Sequence, residues 1–186
     1  MLIPLRNYSN YSICESNIKI EDLVNFAEKE KLPAMALTDY KLLSGALEFS
    51  IKCKKKGIQP IIGLDVDFIS KLKHKSRLTF LCKNNIGFKN LNILSTKINT
   101  EKEFQLSLNN INNFSEGNIL ILGGLFSYFQ DLNINTNNFK IILNEIITLK
   151  NFFKNDIFFE FDENLDNKLL NEISQKCTIP SFLSSF

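Results

Sequence analysis

An α/β fold is predicted for this 186-residue chain by three observations. Short apolar runs alternate with amphipathic stretches along most of its length. The segment from Ala34 to Phe68, AMALTDYKLLSGALEFSIKCKKKGIQPIIGLDVDF, reads as strand, helix, strand. Asp39 and Asp65 sit at or near strand ends in that unit, and C-terminal strand ends face the functional mouth of α/β sheets and barrels.

The elements follow in order. Leu2 to Arg6 is a short strand candidate. Ile20 to Lys31 is a helix: Ile20, Leu23, Val24 and Ala27 form an apolar face, and Glu21 and Asp22 occupy the first turn, where the dipole favours them. Ala34 to Leu37 is a strand. Leu43 to Lys56 is a helix with Ala46, Leu47 and Ile51 inward, ended by Gly57. Pro60 to Phe68 is a strand kinked at Gly63, and Arg77 to Cys82 is another. Between them, Ile69 to Ser76 is a polar, Lys-rich surface loop. Gly87 to Ile98 is a helix, Asn118 to Leu122 a strand, and Asn138 to Phe153 a long helix carrying Ile141, Ile142, Ile146 and Leu149. Ile157 to Phe161 (strand), Leu165 to Cys177 (helix) and Ser181 to Ser184 (strand) complete the series. Such alternation, with short connections, predicts parallel strands joined by right-handed crossovers.

Composition narrows the function. Hydrophobic content is 44%, charged content 23%, and the net charge is +2, too small to steer nucleic acid by itself. Cys14, Cys53, Cys82 and Cys177 form no C-x-x-C pair, so neither a zinc knuckle nor a redox motif is indicated. Buried free thiols fit a reducing cytoplasm. No signal peptide or membrane-length apolar run is present. The length suits one domain. The apolar ending TIPSFLSSF gives the expectation that residues 1–186 were cut from a longer polypeptide.

Six segments carry a family resemblance: LRNYSNYSICES, LPAMALTDYKLLSGALEFSIKCKKKGIQPIIGLDV, LTFLCKNNIGFKNLNILSTK, SEGNILILGG, FFEF and IPSFLSS. In this order they resemble the N-terminal polymerase-and-histidinol-phosphatase (PHP) domain of bacterial DNA polymerase III alpha subunits. The most specific parts are TD-x5-G-x2-EF and G-I-x-P-I-I-G. The resemblance implies a distorted (β/α)7 barrel at the front of a longer polymerase chain. It also implies a barrel mouth where, in metal-binding members, His, Asp and Glu hold divalent ions that cleave phosphoesters.

This sequence departs from that ligand pattern. Pro4, Tyr8 and Asn10 stand in or near the places of two first-strand His and an Asp, and Tyr40 replaces the His after Thr-Asp. Asn164 aligns near a later His, and Ser185 or Phe186 with a late Asp. Asp39, Asp65 (in place of a Glu) and Glu160 survive. The sole histidine, His74, lies in the loop sequence KLKHK, so the chain cannot build a His-rich metal centre. No metal or other cofactor is therefore expected. The hydroxyls of Tyr8 and Tyr40 are expected to meet Asp39, Asp65 or Glu160 in a mouth filled by side chains.

Other readings of the same residues stand beside this one. Asp39 reads as the N-cap of the following helix. Asp65 and Asp67 share one strand face; Asp67 reads as a solvent-facing polar residue, while Asp65 is open. A weak cation site with Asp39 or Glu160 is conceivable. Lys52 and Lys54–Lys56 complement a helix C-terminus, with DNA contact the weaker reading. One His away from every motif strand leaves no base for a serine nucleophile. Two functions compete. The first is a catalytically silent domain in DNA replication that supports the remainder of the polymerase and docks a proofreading exonuclease subunit, meeting DNA only through the assembly. The second is a residual metal-dependent phosphoesterase or 3'-5' proofreading nuclease.

Overall fold

The computed structural model describes residues 3–123, 136–162 and 168–184. Helix α1 (Ile20–Lys29) leads into strand β1 (Ala34–Leu37), helix α2 (Ala46–Lys55) and strand β2 (Gln59–Ile69). Strand β3 (Lys75–Cys82), helix α3 (Asn85–Thr100), a 3-10 turn (Ile111–Phe114) and strand β4 (Asn118–Gly123) follow. Helix α4 (Thr136–Phe153), strand β5 (Ile157–Asp162), helix α5 (Lys168–Cys177) and strand β6 (Ser181–Ser184) complete the described chain. No helix among these residues is long and apolar enough to cross a membrane.

The six strands form one sheet in sequential order. It is mixed, not parallel throughout: β1–β2, β4–β5 and β5–β6 are parallel, whereas β2–β3 and β3–β4 are antiparallel. The Lys-rich loop explains the departure from the expected pattern. Only residues 70–74 separate β2 from β3, which is long enough for a hairpin but far too short for a crossover.

Side-chain parity sorts the sheet into two faces. Leu64, Val66 and Phe68 of β2 join Leu78, Phe80, Leu120, Leu122, Ile157 and Phe159 in the main core, covered by residues of α3, α4 and α5. A second cluster packs α1 and α2 against β1 through Val24, Ala27, Met35, Leu37, Phe49 and Cys53. A third joins Ala36, Leu81 and Ile121 with Leu5, Ile61 and Phe182, from the N-terminal segment and strands β1, β2, β3, β4 and β6. Leu81, Ile121 and Asp65 are buried on this face although α3, α4 and α5 cover the opposite one, so the sheet curls over them. The architecture is therefore an α/β half-barrel, and β1 and β6 are the edges of the described sheet.

Two local expectations are corrected. The segment through Pro4 and Arg6 is not a strand; it runs beside β1, where Ala36 N donates to Pro4 O (3.1 Å) and Thr38 N to Asn7 O (2.8 Å). Pro4 has no N–H to complete a ladder. On α2 the inward residues are Ala46, Phe49 and Cys53, whereas Leu47 and Ile51 are 73% and 47% exposed.

Gly63 is the point at which β2 changes partners. Gln59–Ile62 pair with β1, and Gly63–Ile69 pair with β3. A Cβ at Gly63 would lie 2.4 Å from Phe80 O and 2.8 Å from Thr38 Cγ2. Gly63→Ala is expected to destabilise the fold by about 1–3 kcal/mol, read as a lowered urea midpoint. An unchanged midpoint would show that the two sheet halves tolerate separation at this point.

Candidate functional site

The concave face gathers polar side chains at one end of the sheet. Asp65 and Asp67 alternate with the core residues of β2, so period two turns both inward. Thr79 and Arg77 lie across from them in register on β3. Glu160 is on β5 beside Gly123 of β4. The N-terminal segment closes this end. Asn7 holds it to β1: its N–H donates to Thr38 Oγ1 at 3.0 Å and its Nδ2 to Ala36 O at 2.9 Å.

Asp39 is buried at the end of β1 and is a receiver of hydrogen bonds rather than a helix cap. Its oxygens accept from Ser9 N (2.6 Å), Ser9 Oγ (2.7 Å) and Ser12 Oγ (2.6 Å). Ser12 Oγ in turn accepts from Tyr40 N at 2.9 Å. The residue at the N-cap of α2 is Gly45, with no side-chain cap. The capping expectation failed because Asp39 lies too far before the helix, and the NYSNYS segment supplies its donors instead.

Asp65 is fully buried and accepts two O–H bonds, from Tyr8 Oη at 2.6 Å and Thr79 Oγ1 at 2.7 Å. Arg77 Nη1 is 3.9 Å from Oδ2, the oxygen that also accepts from Tyr8. Burial pushes the Asp65 carboxyl above its ordinary range, against the opposing pull of Arg6, Tyr8, Thr79 and Arg77. Burial also raises the Tyr8 phenol, reinforced by the Asp65 charge, so the hydroxyl remains a donor at neutral pH.

Glu160 is 2% exposed and pairs with the buried Arg6 at 2.9 Å. Arg6 Nη2 also donates to Gly123 O at 3.1 Å. Its positive charge acts on both Tyr8 and Asp65. A guanidinium is thus the cation at the centre of these carboxylates.

Asp67 is not an ordinary solvent-facing residue. It accepts from Tyr40 Oη (2.8 Å) and pairs with Lys41 (2.5 Å) and Lys75 (3.0 Å). Partial burial disfavours its charge, but these donors outweigh burial and hold its carboxyl below the usual range. Tyr40 therefore meets Asp67 rather than Asp39, Asp65 or Glu160, while Tyr8 meets Asp65 as expected. Arg77 stacks 4.0 Å over the Tyr40 ring and grips Glu15 with both terminal nitrogens, at 2.6 and 3.2 Å.

The other predicted positions are dispersed. Pro4 contributes only its carbonyl to β1. Asn10 is exposed in a turn, its N–H bonded to Ile18 O at 2.7 Å. Asn164, Ser185 and Phe186 lie outside the described residues, and His74 sits in the β2–β3 turn. Sequence reading missed Arg6, Ser9, Ser12, Arg77 and Thr79. One signal was available: the chain has only two arginines, Arg6 and Arg77, among 22 basic residues, and both converge here.

The carboxylates of this arrangement are engaged by protein groups. No group of three or more His, Cys, Asp or Glu among the described residues could hold a metal ion. Asp39 and Asp65 instead accept O–H and N–H donors, and Glu160 is ion-paired with Arg6. The donor set does not fit a divalent metal centre.

Comparison with known proteins places this geometry. The PHP domain matches residues 4–164. The chain belongs to the PHP domain family. Curated relatives of this PHP chain are named DNA polymerase III subunit alpha. Those of Chlamydia pneumoniae and Borreliella burgdorferi are 34% and 30% identical over 85% and 96% of the chain. That of Bacillus subtilis is 28% identical over 96%. The chain spans 14–17% of the length of these relatives, consistent with the N-terminal PHP domain of such a subunit. The fold is shared with an amidohydrolase from Chromobacterium violaceum, solved with bound sulfate and no metal (TM-score 0.62, 10% identity, 98% of this chain and 86% of that one). It is shared equally with a protein from Bifidobacterium adolescentis described as a metal-dependent phosphoesterase (TM-score 0.65, 8% identity, the same coverages).

Tyr8→Phe keeps the ring but removes one of the two O–H donors to the buried Asp65. The variant is expected to lose about 1–3 kcal/mol of unfolding free energy, measured by urea titration at neutral pH. Wild-type stability in this variant would mean that Arg77 or water satisfies the orphaned oxygen equally well.

Proposed function

We propose that this PHP domain is a catalytically silent unit of a replicative DNA polymerase III alpha subunit in the cytoplasm. It supports the polymerase body and docks a proofreading exonuclease subunit. Polymerase chemistry belongs to the remainder of the chain, and DNA is reached through the assembly. The carrying observation is the buried Arg6–Glu160 pair, 2.9 Å across. With Arg6 in place, Glu160 has its countercharge, and Tyr8 and Thr79 occupy Asp65. An activated water needs a bound ion or a poised base, and these carboxylates are committed to other partners. Pro4, Tyr8, Asn10, Asp39, Tyr40, Asp65, Glu160 and Asn164 are on this reading the remnants of a ligand set.

The competing reading is a residual metal-dependent phosphoesterase. The retained Asp39, Asp65 and Glu160 favour it, together with the fold shared with the Bifidobacterium protein. Two measurements separate the readings. Elemental analysis of purified protein is expected to find no stoichiometric zinc, manganese or iron, and assays on nucleotides and DNA ends to find no hydrolysis. Bound metal with activity abolished by Asp65→Ala would establish the residual site and overturn silence.

Docking has its own support: Leu47 and Ile51, four residues apart on one face of α2, are both exposed. A proofreading exonuclease subunit from the same organism is expected to co-elute with the chain at low-micromolar concentration, roughly −8 kcal/mol. Separate elution, with circular dichroism showing folded protein, would leave only the supporting role.

A further inference from the structure

A second polar cluster lies beyond the mouth, where β2 and β3 extend into their shared turn. A pocket of about 290 Å³ opens there, lined by Lys41, Asp67, Lys75, Ile98, Phe104 and Gln105. That is near the lower limit for small-ligand sites. Its wall is fixed to the sheet, since Ile69 N donates to Leu106 O at 2.8 Å.

Lys41 is held there against a local preference. Its φ is +62°, in the left-handed region that disfavours side chains. Three hydrogen bonds hold it: Lys41 N to Asp65 O (2.8 Å), and Ser95 Oγ and Asn99 Nδ2 to Lys41 O (2.8 and 2.9 Å). The ammonium thus reaches Asp67, which Lys75 also pairs. Two cations on one carboxylate leave a surplus of one positive charge.

The adjoining turn adds more. Lys71 and Lys73 are exposed and make no ion pair with any described residue. The lysines near the end of α2 are partly engaged: Lys52 pairs with Glu21 and Glu48, and Lys56 with Glu28, while Lys54 and Lys55 are exposed. Of the two basic stretches, the β2–β3 turn is the one that borders the pocket, and that pocket contains an aromatic ring.

We propose that this pocket and turn bind single-stranded nucleic acid. One base enters against Phe104, a flanking phosphodiester meets the surplus charge at Lys41 and Lys75, and the strand continues over Lys71 and Lys73. A phosphodiester carries one negative charge, matching the surplus, and a base supplies the flat apolar body that Ile98 and Phe104 accept. A duplex offers no free base face to such a pocket. The site is separate from the Asp39, Asp65 and Glu160 cluster, so the proposal adds a direct strand contact to the silent-domain reading, in which DNA is otherwise reached through the assembly.

The test is fluorescence anisotropy with the 186-residue chain and a labelled oligothymidylate of about ten nucleotides, within the usual site range. An abasic strand of equal length, a duplex and polyglutamate serve as comparisons. The thymidylate should bind about fivefold or more tightly than the abasic strand, as expected for one stacked base. Phe104→Leu, which keeps an apolar contact with the core, should abolish that preference and leave abasic binding unchanged. Lys71→Gln with Lys73→Gln, both on the exposed turn, should lower the salt slope by about 0.7 per lysine. Absence of binding, equal affinity for both strands, preference for the duplex, or equal displacement by polyglutamate would each overturn the proposal.

Discussion

Three buried carboxylates inside a curled sheet dominate this structure. Asp39, Asp65 and Glu160 are each at most 2% exposed. An unpartnered buried charge is strongly destabilising, so every neighbouring element must supply donors. The N-terminal segment meets most of that demand. It carries Arg6 to Glu160, Tyr8 to Asp65, and Ser9 and Ser12 to Asp39. That segment forms no strand and is held largely by what it does for these groups. Removing Arg6 or the Tyr8 hydroxyl takes a partner from a buried carboxylate, which ties the concave face to the order of a loop.

The apolar framework and the polar interior are matched through strand parity. The same alternation that sends Leu64, Val66 and Phe68 to the outer core sends Asp65 and Asp67 inward. A one-residue slip of β2 would bury charge among helices and empty the inner cluster, so register is enforced from both faces. The glycine at the partner change permits that double pairing, because no side chain fits between Phe80 O and Thr38 there.

Sequence reading reached the elements and one face of the chemistry. Strand positions, the helix bounded by Gly57, and the shared face of Asp65 and Asp67 were legible because they follow from local periodicity. The inward face of α2 was not. Both Ala46–Phe49–Cys53 and Leu47–Ile51 have helical spacing, and only the neighbouring β1 selects the first. The antiparallel β3 was hidden because strand direction is a matter of connection length, not of pattern. The donors to the carboxylates were hidden for a different reason. Tyr8 to Asp65 spans 57 residues and Ser9 to Asp39 spans 30, distances at which periodicity carries no information. Arg6 and Arg77 alone stood out, by their rarity.

The contact between Arg6 and Gly123 also has a meaning for biosynthesis. Its ends are 117 residues apart, so Arg6 leaves the ribosome long before its acceptor exists. At translation rates of about 5–20 residues per second, the interval is roughly 6–25 s. The β2–β3 hairpin, closed by a turn of residues 70–74, can pair far sooner. Arg6 is therefore made well before the groups that seat it, and the acidic interior is completed only once Gly123 and Glu160 have been made.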